Sequence, residues 1–348
     1  MLENKIREAE EELAKTPVNK GTEKHIARLK ARIARMKKAM KKKGGRGFSY
    51  AVKKTGDATV LIVGFPSVGK STLLNRLTNA KSKVGAFDFT TLNVIPGVLI
   101  YKGTRIQLLD VPGVVEGASE GRGRGREIFS VVRTADLVLI VVDAQHPEQL
   151  SIIKKEMYKA GIRLNQEPPK VDVKKEAGRL TVRSLVKDNL SHSVVKEICK
   201  EFGFHSGELV LREKVTTDEL IDVLVGNRVY LPAVVVINKM DLVKEKPNIE
   251  GIPISAERGE GIEKVKKTIY EKLEFIRVYL KKIGKEPDTN PLIIKSGSRV
   301  YDVAKRIHEK LEIEYARIWG PSAKFPGQRV GAEHLLKDKD VVELHMKT

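Results

Sequence analysis

The chain has 348 residues, of which 41% are hydrophobic and 32% charged, and its formal net charge is +20. That length exceeds one ordinary core, so two to four domains are expected of a globular protein more charged than average. No apolar run approaches a membrane span, the charged N-terminus does not read as a secretory signal, and the single Cys199 has no disulfide or zinc-spaced partner.

These features lead to the expectation of a soluble, cytoplasmic, monomeric protein. The charge is uneven: residues 1–55 carry 17 Lys and Arg against 6 Asp and Glu. A basic excess favours phosphate-rich partners such as RNA or the ribosome through counterion release. A lysine-rich, aromatic-poor chain also fits a heat-adapted surface, and both readings stay open at this point.

Residues 1–16 have helical periodicity with an acidic face of Glu8, Glu10, Glu11 and Glu12. Turn chemistry follows at 16–21, and Thr22 is placed to cap a second helix through Met40, with Ile26, Leu29, Ile33 and Met36 at spacings of three and four. This helical hairpin is basic along Arg28, Lys30, Arg32, Arg35, Lys37 and Lys38 and leads into the linker Lys41-Lys42-Lys43-Gly44-Gly45-Arg46-Gly47. The basic face is read either as an RNA contact or as a solvated face packing on a neighbour.

From Asp57 the chain reads as α/β, with apolar strands at 58–63, 98–101, 105–109, 137–142 and 233–237. Their alternation with helical segments predicts a doubly wound, mostly parallel sheet, with ligands at the strand C-terminal ends. The segment 164–230 breaks the pattern. It reads as a strand pair (171–173 and 180–183), a helix (193–202), a strand (209–212) and a helix (217–225), an inserted α+β subdomain. Residues 253–256 return to the sheet, 262–280 read as an amphipathic helix, 286–291 as a linker, and 291–347 as a small β-rich domain.

Gly64-Phe65-Pro66-Ser67-Val68-Gly69-Lys70-Ser71 fits G-x-x-x-x-G-K-[ST] between a strand and a helix that continues through Thr72. In that context backbone amides and the helix N-terminus converge on a phosphate. Lys70 then reaches the β- and γ-phosphates and the Ser71 hydroxyl ligates Mg²⁺. Asp110-Val111-Pro112-Gly113 places a carboxylate for Mg²⁺ at a strand end, with the Gly113 amide facing the γ-phosphate. In Phe87-Asp88-Phe89-Thr90-Thr91, a threonine, Thr91 in preference to Thr90, completes the Mg²⁺ shell only while a γ-phosphate is present. Asn238-Lys239-Met240-Asp241 follows the strand 233–237. Asp241 can accept guanine's two donors, which adenine lacks; Asn238 ties loops together, and the Lys239 stem covers one face of the base. Ser255-Ala256 can place a backbone amide on the guanine carbonyl oxygen.

The expected catalytic residues are thus Lys70, Thr91, Asp110 and Gly113, and the expected Mg²⁺ ligands Ser71, Thr91 and Asp110. Two functions remain: a GTP-hydrolysing switch, or a scaffold that holds a guanine nucleotide for stability. Val114 and Val115 follow the DVPG motif, so no Gln stands there to orient a water, and a slow intrinsic reaction is expected.

The long stretches GFPSVGKSTLLNRLT, FDFTTLNVIPGVLIYKGTRIQLLDVPGVVEGASEGRGRGRE, GNRVYLPAVVVINKMD and ARIWGPSAKFPGQRVGAEHLLKDKDVV carry a resemblance that covers nearly the whole chain. It resembles the developmentally regulated GTP-binding (DRG) proteins of the Obg superfamily, in an archaeal form. The resemblance implies an α/β P-loop GTPase fold with an N-terminal helix-turn-helix region (1–46) and a G domain (57–163 and 231–285). It also implies an inserted domain of a type found in a small-subunit ribosomal protein (164–230) and a C-terminal β-grasp TGS domain (289–348). By the same resemblance the protein hydrolyses GTP slowly with Mg²⁺, associates with ribosomes or RNA, and in eukaryotes has a small partner protein. K⁺ is a further candidate cofactor, although Ser67 stands where many potassium-activated GTPases carry Asn.

Overall fold

The computed structural model describes residues 2–43, 56–78, 95–111, 129, 131–187, 190–307 and 313–346. By chain contacts it divides into two compact units, one of residues 1–49 with 161–230 and one of 50–160 with 231–348.

In the first unit, helices α1 (Leu2–Lys15) and α2 (Glu23–Lys43) form the expected hairpin. Ile6 and Ala9 pack against Ile33 and Met36 between them. Thr22 precedes α2, but its hydroxyl closes the turn instead of capping the helix: it accepts the Asn19 amide at 3.1 Å, while Asn19 Oδ1 accepts the Thr22 amide at 3.0 Å.

The second unit begins with β1 (Ala58–Val63), α3 (Lys70–Leu77), β2 (Ile95–Tyr101), β3 (Thr104–Asp110), β4 (Leu137–Asp143) and α4 (Gln149–Ala160). Every residue of β1 and of β4 is buried. This explains why both strands read as unbroken apolar runs instead of alternating: helices cover both faces of a parallel sheet. Full burial of each Val, Leu or Ile contributes about 1.5–3 kcal/mol relative to exposure, so these two strands anchor the unit's core.

The chain then returns to the first unit through β5 (Ile162–Leu164), β6 (Val171–Lys174), β7 (Thr181–Ser184), α5 (His192–Glu201), β8 (Glu208–Leu211), α6 (Thr217–Val225) and β9 (Val229–Leu231). The elements expected between 171 and 225 fall near their expected places, while β5 and β9 were not expected, and β6 and β7 are not a pair. The strand order is β6-β8-β7, antiparallel on one side of β8 and parallel on the other. β8 takes the centre because Leu209 and Leu211 both point into the core shared with Val194, Val195 and Ile198 of α5 and Leu220 and Ile221 of α6.

Ala27 and Ala31 of α2 belong to that same core. Their small side chains let α2 lie close on α5 and α6, and its basic residues then reach fixed partners. Lys30 pairs with Asp218 at 3.0 Å, Lys37 with Glu10 at 2.6 Å, and Lys24 with Glu197 at 3.6 Å. Arg35 donates to the Glu201 carbonyl at 2.8 Å and Lys38 to the Val225 carbonyl at 2.6 Å. Exposed pairs of this kind contribute about 0–1 kcal/mol each, so the apolar contact holds the helix and the charges orient it. For these side chains the packing reading of α2 prevails over that of a free basic arm.

The rest of the second unit is β10 (Ala233–Asn238), β11 (Ile252–Pro253), α7 (Ile262–Lys272), β12 (Phe275–Leu280), β13 (Leu292–Lys295), α8 (Val300–Ile307), β14 (Ile313–Trp319), β15 (Gln328–Val330) and β16 (Asp340–Met346). The six-stranded sheet runs β11-β10-β4-β1-β3-β2. All its neighbours are parallel except the β2–β3 hairpin. The five-stranded C-terminal sheet runs β13-β12-β16-β14-β15.

The single helix expected over 262–280 is corrected. It ends at Lys272, Glu274 turns with φ 51, and Phe275–Leu280 is a strand of the C-terminal sheet. The reason lies in a change of period: Ile276, Val278 and Leu280 alternate toward the core under α8, a spacing of two that a helix would scatter around its circumference. The C-terminal sheet therefore starts upstream of the linker at 286–291.

One buried ionic cluster braces the first unit. Asp222 takes Arg163 through both oxygens at 2.6 and 2.8 Å and Arg228 at 2.6 Å; the Arg163 and Asp222 side chains are 3% and 5% exposed. Removing one partner from such a cluster costs about 3–5 kcal/mol, because the others stay buried without it. The core of the same unit contains Cys199, whose thiol burial pushes up to about 12, so it is inert to alkylation while the unit is closed. Asp222→Ala is expected to speed iodoacetamide labelling of Cys199 under native conditions by roughly 100- to 4000-fold, the tenfold-per-1.4-kcal/mol equivalent of that cost. Labelling at the wild-type rate would show that the cluster braces nothing.

Candidate functional site

The phosphate loop leaves β1 at Gly64 and enters α3 at Lys70. Two contacts explain its glycines. A Cβ on Gly64 would lie 2.4 Å from the Val141 carbonyl oxygen of β4, and one on Gly69, which has φ +89, would lie 2.4 Å from Asn238 Nδ2. The loop is thus pressed between two neighbouring strand ends. Phe65 packs partly buried on the main core and Val68 is fully buried, while Pro66 and Ser67 are exposed at the loop's tip and Thr72 is half-buried in the first turn of α3.

Lys70 is buried and donates to the Phe65 carbonyl at 3.0 Å and the Gly64 carbonyl at 3.3 Å. Ser71 Oγ donates to Asp110 Oδ2 at 2.6 Å. Asp110 Oδ1 is buried without a hydrogen-bond partner. Desolvation lowers the Lys70 pKa, partly offset by the Asp110 charge. Desolvation likewise raises that of Asp110 against the Ser71 hydrogen bond and the Lys70 charge.

An orphaned carboxylate oxygen beside a hydroxyl is a hard-oxygen donor set that suits Mg²⁺, which is typically held by one or two protein oxygens with phosphate and water completing the shell. Among the described residues no group of three or more His, Cys, Asp or Glu could hold a metal ion. Phe89, Thr90, Thr91 and Gly113 lie outside the described residues.

Asn238 sits at the C-terminal end of β10, 2% exposed. Its Nδ2 donates to the Val68 carbonyl at 2.9 Å and its Oδ1 accepts the Ala256 amide at 2.9 Å. One side chain therefore ties the phosphate loop to the loop after β11. This changes the expectation for Ser255 and Ala256. Here the Ala256 amide donates to Asn238 and the Ser255 amide to the Glu260 carbonyl at 3.2 Å, so a guanine carbonyl would have to share or replace one of these acceptors.

Lys239 donates to Asp143 Oδ2 at 2.7 Å. Asp241 is partly exposed, and a hydrogen bond from Ser255, more than the nearby Arg258 and Lys239 charges, holds its carboxyl below the usual carboxylate range.

Sequence reasoning missed Arg76 and Asp143. Arg76, in the last turn of α3, donates to the Ala256 carbonyl at 3.0 Å and to the Glu257 carbonyl, so the helix that starts at the phosphates also holds the base-side loop. Its only local signal was a basic residue at a helix C-terminus, which the helix dipole explains equally well. Asp143 fell just outside the strand expected at 137–142 and is its last residue in the structure.

Asn238 can make both of its bonds only where a phosphate loop and a base loop lie side by side, an arrangement that defines the P-loop GTP-binding proteins. Comparison with known proteins agrees. Residues 59–175 match the family model described as 50S ribosome-binding GTPase, 177–275 the C-terminal region of that domain, and 276–346 the TGS domain. An uncharacterized GTP-binding protein of Methanocaldococcus jannaschii is 49% identical over 99% of this chain and 93% of its own length. Developmentally-regulated GTP-binding protein 2 of Homo sapiens is 40% identical over 99% of both chains. Among solved structures, the FeoB G domain from Methanococcus jannaschii covers 62% of this chain and 97% of its own, at 19% identity and a TM-score of 0.35. On its full-length relatives, the chain belongs to the developmentally regulated GTP-binding protein family.

Gly69→Ala tests the clamp. A Cβ there strains a left-handed backbone by roughly 1–2 kcal/mol and collides with Asn238. We expect the variant to fold and to lose roughly 5- to 30-fold in guanine-nucleotide affinity by calorimetry, the equivalent of that strain. Unchanged affinity would mean that the clamp does not set the site.

Proposed function

We propose that this protein hydrolyses GTP to GDP and phosphate with Mg²⁺, slowly, and that the bound nucleotide switches its association with ribosomes or RNA. The observation that carries the hydrolytic reading is the Ser71–Asp110 pair, with one carboxylate oxygen buried and unpartnered and the Lys70 charge close enough to act on it. Mg²⁺ held there would neutralise charge developing on the transferred phosphoryl group. Lys70, now on the loop carbonyls, would exchange them for β- and γ-phosphate oxygens; desolvation strengthens that attraction as it weakens the ammonium's own hydration. Thr91 and the Gly113 amide are proposed to report the γ-phosphate.

Base choice rests on Asp241. As a carboxylate it is an acceptor for both guanine donors, and adenine would leave it unpaired. Asp241→Asn puts a partial donor opposite a donor edge. The variant should lose roughly 10- to 100-fold in GTP affinity, the range of a charge-assisted hydrogen bond, and gain preference for XTP. Calorimetric titration with both nucleotides decides, and undiminished GTP affinity would sink the assignment.

With Val114 in place of a water-orienting Gln, the intrinsic rate is expected on the order of 10⁻⁴ to 10⁻² s⁻¹, rising with a partner surface or with K⁺ that supplies positive charge. Single-turnover assays in sodium, in potassium and with ribosomes measure this; turnover of several per second in sodium alone would refute it. Ribosome association is supported by the description of the matched family model and by the basic balance of the chain. It should appear as co-sedimentation with ribosomes that differs between GDP and a non-hydrolysable GTP analogue. A small partner protein of the kind the resemblance implies remains part of this proposal.

A further inference from the structure

Asn238 and Asp143 are register partners on the adjacent strands β10 and β4, and the Ala144 amide donates to the Asn238 carbonyl at 2.9 Å. Two strand ends are thereby joined just before both chains turn away. Lys239 comes next, with φ 63, a left-handed conformation that residues with a Cβ avoid. Its ammonium is fixed at the far end, where Nζ donates to Asp143 Oδ2 at 2.7 Å. The other carboxylate oxygen of Asp143 accepts the Gln145 amide at 2.9 Å, so the acceptor is itself immobilised. The Asp143 side chain is 6% exposed and the Lys239 side chain 31%.

A lysine held by its backbone at one end and its ammonium at the other cannot swing into water as a surface lysine does. Its four methylenes become a fixed apolar strip between the ends of β10 and β4, two residues before Asp241. An aromatic base needs a rigid apolar surface on its face and hydrogen-bond partners on its edge. Asp241 supplies the edge. The observed ion pair supplies rigidity to the strip, and the rotamer entropy of a long side chain is then spent in folding and not again on binding.

We propose that Asp143 is a positioning residue for guanine binding, acting through Lys239 to hold that stem as the surface on which the base lies. The inference rests on the reading of Asp241 as the base-reading carboxylate. The competing account makes Asp143 a brace for the strand ends, with no influence on the nucleotide beyond general stability.

Displacement of N-methylanthraniloyl-GDP from the full chain distinguishes them, measured for wild type, Asp143→Ala, Asp143→Asn, Lys239→Ala and the Asp143→Ala/Lys239→Ala double variant. Asp143→Ala should speed release by about 10- to 100-fold, the range of one lost charge-assisted hydrogen bond. Asp143→Asn should fall in between, since its amide oxygen still accepts from the ammonium without the charge. With Lys239→Ala already present, adding Asp143→Ala should change the release rate no further, because the residue through which it acts is gone. Wild-type release from Asp143→Ala, or effects that multiply in the double variant, would overturn the proposal. Should Asp143→Ala not fold, Asp143→Asn alone and combined with Lys239→Ala gives the same comparison. A wild-type chain that held XDP as tightly as GDP would instead strike the reading of Asp241, while the pattern of release rates would still decide Asp143.

Discussion

The nucleotide site depends on the two hydrogen bonds of Asn238. Its amide group donates to the carbonyl of one loop and accepts the amide of another, each at 2.9 Å, and buried at a strand end it has no water to fall back on. A carboxylate in its place would face the Val68 carbonyl with no proton to offer, and a longer amide would overshoot. Much of the neighbouring sequence follows from this. Gly69 is glycine because a side chain would occupy the space of the Asn238 amide. Arg76 holds from outside the same loop that Asn238 holds from within.

Around that clamp the electrostatics are arranged for a ligand of opposite charges. Lys70 and Asp110 are both desolvated, each shifted toward its neutral form and each partly restored by the other. Among the described residues neither has a partner that satisfies it fully: the ammonium rests on neutral carbonyls, and one carboxylate oxygen has no partner. Perturbed charges that structure alone leaves incompletely compensated are a mark of functional sites. At the base side the direction is reversed: a hydrogen bond from Ser255 shifts the Asp241 carboxyl further toward its charged form.

The charge on the N-terminal helices has a different meaning in the folded chain. Counted along the sequence, α2 is a basic arm. Folded, its alanines seat it on α5 and α6, and Lys24, Lys30, Arg35, Lys37 and Lys38 find carboxylates or helix-end carbonyls. Carbonyls at the C-terminal ends of α5 and α6 are natural cation sites, so part of the excess charge orients α2 on the unit it packs against.

The sequence by itself determined most of the local elements and where along the chain the phosphate loop and the Asn-Lys-x-Asp turn fall. Strands buried on both faces announce themselves as apolar runs. The phosphate loop and the Asn-Lys-x-Asp turn are contiguous, because backbone amides and a base edge are each met by consecutive residues. What only the tertiary structure decided lies between segments distant in the chain. β8 separates β6 from β7 because its leucines are central to a core assembled from three helices. Phe275–Leu280 leaves the helix because its period of two matches a sheet completed some sixty residues later. Asp143 and Arg76 carry no local pattern, since their partners, Lys239 and the carbonyls of Ala256 and Glu257, are brought to them by the parallel stacking of β4 and β10 and by the helix that crosses the sheet. Periodicity records which face of an element is buried, but which distant residue meets it is settled only when the layers close.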